Sequence, residues 1–71
     1  MNRITYGTAD VAKKNSGNPY WVVASFNADT VHDAYLKAAE FVRGDDSLEI
    51  KFWGTTTRDE SKSLPNDYYS G

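Results

Sequence analysis

The segment ADTVHDAYLKAAEFVRGDD, residues 28–46, constrains the fold of this chain more than any other. At about 100° per residue, Val31, Ala34, Tyr35, Ala38, Phe41 and Val42 fall in a stripe about 120° wide, the pattern of a helix lying on a sheet. Thr30 is the predicted N-cap, Asp33 stands three positions on as a short capping-box partner, and Gly44 follows Arg43 as the C-terminal stop. Asp33 and Lys37 have the spacing of a favourable i,i+4 pair on the far side of the helix. Leu36 breaks the pattern, projecting into the polar arc near His32, Glu40 and Arg43.

One helix cannot bury its stripe alone, so the flanking segments must supply a sheet. RITYGTADVAK, residues 3–13, reads as an irregular strand, with Ile4 and Tyr6 in one phase, Ala9 and Val11 in the other, and a bulge or bend expected near Gly7. KNSGNP, residues 14–19, is dense in turn formers, and YWVVASFN, residues 20–27, is a second strand that closes a hairpin with the first. After a short turn at Gly44–Asp46, the segment from Ser47 to about Thr56 is a third strand. The predicted class is therefore α+β: a small antiparallel sheet of three strands, or four if the tail adds one, in chain order β-β-α-β with one helix on one face. Residues 1–56 form the domain. Residues 57–71 form a polar tail, either disordered or a short edge strand, in which Leu64, Tyr68 and Tyr69 are the side chains able to dock.

Strand phase then assigns the two faces. Leu48, Ile50 and Phe52 are predicted under the helix together with Val22, Ala24 and Phe26, which leaves Glu49, Lys51 and Trp53 outside with Trp21, Val23 and Ser25. Both tryptophans are thus expected on the uncovered face. Slipping the second strand to its other phase would expose Tyr20, Val22 and Phe26 instead, so the outer face is partly apolar in either register. Three coverings fit: the tail folded back through Leu64 and Tyr68 or Tyr69, a second copy of the chain, or a foreign protein.

Composition narrows the function classes. A chain of 71 residues buries only about 60% of the surface its unfolded form exposes. There is no cysteine, so disulfides and thiolate metal sites are excluded and a reducing compartment is the natural setting. No apolar run approaches the roughly 20 residues of a bilayer span, and the N-terminus lacks a signal-peptide layout, so the expected location is cytoplasmic. The formal charge of -2 is an ordinary solubility charge, neither the basic patch of a DNA binder nor the dense carboxylates of a DNA mimic. Aromatic residues make up 14% of the chain, more than one small core readily hides.

No catalytic, cofactor or metal site is expected. His32 is the one histidine, and its neighbour Asp33 diverges from it by about 100° on the helix, so the two cannot pair. Asp45 with Asp46, and Asp59 with Glu60, lack the alternating oxygen spacing of a calcium loop and read as solvated loop charges. GTADVAKKNSGN is not a phosphate loop, and the mixed polar arc of the helix excludes a basic membrane-surface helix. The alternatives to a protein-binding module are a single-strand nucleic-acid platform of Trp21, Trp53 and Lys51, with Arg3 or Lys13 beside it, which the net charge disfavours, and a purely structural homodimerising domain.

The segment PYWVVASFNADTVHDAYLKAAEFVRGDDSLEIKFWG, residues 19–54, resembles the strand-helix-strand unit of many short bacteriophage and mobile-element proteins, among them small inhibitors of CRISPR and other host defences. The resemblance is one of size, element order and the lack of a catalytic constellation, and it carries over no functional residue. It implies an inhibitor that covers a surface on a host protein or nucleoprotein complex, in the cytoplasm of a bacterial host. On this reading the contact residues are Trp21, Lys51 and Trp53 on the sheet, Tyr6 on the first strand, and His32 with Leu36 as a second patch on the helix. A homodimer is compatible with it.

Overall fold

β1 (Arg3–Lys13) runs through the middle of the sheet, between β2 (Val22–Ala28) and β3 (Leu48–Asp59). A two-residue strand, β4 (Tyr68–Tyr69), pairs with the other side of β2, so the antiparallel sheet has the spatial order β3-β1-β2-β4. Helix α1 (Val31–Val42) covers one face. The computed structural model describes residues 2–17 and 19–70; Asn18, inside the predicted turn, lies outside the described residues. The α+β class stands, but the predicted order β-β-α-β is corrected to β-β-α-β-β. The first strand becomes central because the third and second strands pair with its two edges. No helix among the described residues is long and apolar enough to cross a membrane.

The helix forms where its caps predict. The Thr30 side chain accepts a hydrogen bond from the Asp33 N–H at 3.1 Å, and Gly44 adopts φ +79° just beyond the Arg43 C-cap, a conformation that costs glycine little. Lys37 does not pair with Asp33. Its Nζ donates instead to the Asn27 carbonyl at 2.7 Å and reaches Asp67 Oδ2 at 3.4 Å.

Between helix and sheet the side chains are small. Ala34 and Ala38 of the helix meet Ala9, Val11, Ala24, Phe26 and Ala28 of the sheet. Such a seam lets the helix approach closely, and at Gly7 the approach is complete: a Cβ there would lie 2.3 Å from the backbone of Thr30 and Val31. Gly7 is therefore no bulge, as its sequence context suggested, but the contact point of the helix start, and it pairs in register with Ala28 and Thr55. The small centre displaces the large stripe residues to the flanks. Tyr35 turns toward β3, where its ring meets Trp53 edge-on at 5.3 Å, and Phe41 turns toward β2, where it meets Phe26 at 5.4 Å.

Two bulges correct the predicted faces. In the β1·β3 ladder Asp10 opposes Phe52 and Val11 opposes Ile50, leaving Lys51 with no opposite residue. One extra residue exchanges the two faces for everything beyond it. Leu48 and Ile50 pack against the core as expected, but Phe52 passes to the outer face and Trp53 comes to the helix side. In the β1·β2 ladder Val11 opposes Ala24 and Ala12 opposes Val22, which bulges Val23 and places it, rather than Val22, against the core.

Candidate functional site

The sheet has two edges, and the side chains singled out by sequence distribute unevenly between them. At the β2 edge the tail is docked. After Asp59 the chain turns and crosses the face opposite the helix, where Pro65 lines a cleft with Tyr6, Arg3 and Arg58. The Asn27 side chain, which shares its phase with Thr8 on that outer face, donates to the Pro65 and Asn66 carbonyls at 3.3 Å each. The Asn27 N–H, directed off the edge, meets Asp67 Oδ1 at 2.9 Å. β4 then continues the sheet, and Tyr69 comes to the helix side against Phe26 at 5.5 Å and Phe41 at 5.8 Å.

The β3 edge has no neighbouring strand among the described residues. Its hydrogen-bonding phase follows from one bond beyond the ladder. The Glu60 N–H donates to the Asn2 carbonyl at 2.9 Å, so the adjacent pair Arg3↔Asp59 is a non-hydrogen-bonded pair of β1 with β3. Alternation then directs the peptide N–H and C=O of Asp59, Thr57, Thr55 and Trp53 away from β1. From Ala9↔Trp53 to Arg3↔Asp59 the register is unbroken. The run Phe52–Thr57 contains no charge, no proline and three exposed threonines, so it lacks the devices that commonly blunt an edge.

Aromatic rings border this edge on both faces. On the helix side Trp53 is 52% exposed beside Tyr35. His32, one turn before Tyr35, continues that flank, while Leu36 turns to the back of the helix away from the sheet, and both are exposed. On the outer side the Phe52 ring, 44% exposed, folds over Gly54, where a Cβ would come within 3.0 Å of its Cζ. Turns pin both ends of the strand. Asp45 Oδ1 accepts from the Ser47 hydroxyl at 2.5 Å and its N–H at 2.9 Å, and Asp59 Oδ1 accepts from the Ser61 N–H at 3.0 Å and its hydroxyl at 2.9 Å. These donors hold both carboxyls below their ordinary value, led by the Ser47 hydroxyl for Asp45 and by the Ser61 N–H for Asp59.

Of the six side chains proposed from sequence, Trp53 meets Tyr35 on the helix flank that His32 continues, and Leu36 lies on the back of the helix, opposite Ala34 and Ala38. The other three lie elsewhere. Trp21 precedes β2 and stands 86% exposed. Lys51 Nζ sits 3.4 Å from Glu49 Oε2 and 6.0 Å over the Tyr20 ring. Tyr6 is half-buried in the tail cleft. Trp21 and Trp53 therefore do not share the uncovered face, and the single-strand platform they were to form with Lys51 is not assembled. Tyr35 and Phe52 were missed because each was assigned to the core. The signal for Phe52 was Gly54 two residues on, a vacancy on the same face that an aromatic ring fills.

Among the described residues no group of three or more His, Cys, Asp or Glu side chains is placed to hold a metal ion. Comparison with protein-family models, with curated proteins and with solved structures found no match to this chain.

Proposed function

We propose that this chain is a non-enzymatic protein-binding module whose contact surface is the open β3 edge together with its aromatic flanks. The observation that carries this reading is the alignment of three features on one strand. Outward peptide groups run from Trp53 to Asp59, the register there is unbroken, and exposed rings stand on both sides. Strand addition to such an edge draws affinity from main-chain hydrogen bonds and selectivity from the bordering side chains. We extend the reading to an inhibitor: a sheet edge placed against a host nucleoprotein or defence complex, in the cytoplasm of a bacterial host, would block what that complex otherwise binds. The resemblance of residues 19–54 to small phage proteins supports that extension.

The test is retention on immobilised chain, offered both a bacterial lysate and untagged copies of the chain itself. Thr57→Pro removes an N–H that points to solvent, so it spares the β1 ladder and obstructs only an incoming strand. The wild type should retain a partner that Thr57→Pro loses. Equal retention by both, or none by either, overturns the reading. Direct binding to single-stranded nucleic acid would show instead as an affinity falling steeply between about 50 and 200 mM salt.

A further inference from the structure

We infer that the occupant of the open edge is a second copy of this chain, its β3 running antiparallel to the first and centred on Thr55, so that two sheets join into one of eight strands with both helices on the same face. The inference rests on the reading of β3 as a contact edge and names its partner.

The edge is self-complementary in backbone phase. A two-fold axis at Thr55 sets Thr55 opposite the second copy's Thr55 and Trp53 opposite the second copy's Thr57, and each of these residues directs its peptide groups outward. Every facing pair between Trp53 and Thr57 is then a hydrogen-bonded pair or the non-hydrogen-bonded pair between two such. Side chains agree with that register. Trp53 on the helix face meets a β-branched threonine, a favourable cross-strand pair. On the outer face Phe52 stands opposite the second copy's Arg58, whose guanidinium is held by the Lys62 carbonyl of its own turn, and no like charges oppose one another. Moving the centre to Thr56 would put Trp53 against the carboxylate of Asp59 instead.

The helix flank fits the same arrangement. α1 touches β1, β2 and β3 and rests on Gly7 of β1, so the two helix axes would stand three strand spacings apart, about 14 Å at ~4.8 Å per spacing. Direct helix packing needs about 8–10 Å. Tyr35 and Trp53 are large, exposed and packed edge-on at the flank that would face the second copy, where they fill part of the difference. A chain whose buried core is mostly alanine has reason to gain apolar burial in this way.

The chain contains no cysteine, so a single introduced one reports the register cleanly. Light scattering of the wild type should give twice the 8.0 kDa of one chain at high concentration and fall toward one chain on dilution. Thr55→Lys, which sets two cations face to face on the axis, should give one chain's mass while keeping a cooperative thermal transition. Thr55→Cys should cross-link under mild oxidation, because facing residues have Cα atoms about 5.5 Å apart. Thr56→Cys should not, since its counterpart lies beyond about 7 Å. A wild type of one chain's mass at all concentrations overturns the inference. If the same protein still retains a lysate partner that Thr57→Pro loses, the edge binds a foreign strand and the proposed function stands. Loss of both removes both. A dimer in which Thr56→Cys cross-links and Thr55→Cys does not overturns the register.

Discussion

The two edges of this sheet carry comparable aromatic exposure and opposite architecture. At the β2 edge Tyr69 is 59% exposed, yet its ring seals Phe26 and Phe41, and Asn27, Lys37 and Asp67 lace the tail to the strand. At the β3 edge Trp53 is 52% exposed and meets the Tyr35 ring, with no strand beyond it among the described residues. The difference lies in the backbone. One edge has its outward peptide groups satisfied by the chain's own tail and the other leaves them to water, so fractional exposure of a ring is a poor guide to whether a surface is finished.

Four substitutions and one change of pH would break or sharpen that contrast. Gly7→Ala should have the largest effect, because its methyl meets backbone at 2.3 Å and the helix must lift from the sheet. A loss of about 3 kcal/mol or more in urea unfolding is expected, and both edges lose their flank together. Asn27→Ala removes the two bonds to the Pro65 and Asn66 carbonyls and should cost about 1–3 kcal/mol. It should also speed amide exchange in β4 while leaving β3 unchanged, turning the finished edge into an unfinished one.

Tyr69→Ala and Trp53→Ala make the sharpest pair. The first should cost about 1–3 kcal/mol by emptying the Phe26·Phe41 cluster. The second should cost about 1 kcal/mol or less in a dilute single chain, where Trp53 forms one edge-on ring contact, and should abolish edge binding. Equal stability losses would show that Trp53 is core. The smallest effect is acid sensitivity. Asp45 and Asp59 have folded values below the ordinary carboxyl range, so their contribution is present above that range and lost as pH falls through the lowered values. Below about pH 4 the turns at both ends of β3 should loosen, read as lower amide protection, relative to the intrinsic exchange rate at the same pH, at Ser47 and Ser61.

Much of the framework was legible in the residues. Thr30, the apolar spacing from Val31 to Val42 and Gly44 bound the helix correctly, because capping and helical periodicity are local. The hairpin and the third strand were legible for the same reason. Less of the candidate site was legible: Leu36 turns away from the sheet, and Trp53 was assigned to the wrong face. The error came from one bulged residue, Lys51. Nothing within LEIKFWG distinguishes an unbroken alternation from one with an extra residue, because a bulge is set by the register of the partner strand.

What the sequence by itself determined is the set of elements: one capped helix with a narrow stripe, three strands, and a chain too small and too rich in rings to hide them all. Only the tertiary structure decided which strand is central, where Lys51 and Val23 bulge, and that the tail finishes one edge and not the other. Those outcomes depend on contacts between segments far apart in the chain. Gly7 under Thr30 sets how closely the helix sits, that closeness drives the aromatic side chains to the flanks, and Asn27 reaching residues 65–67 settles which edge the tail closes.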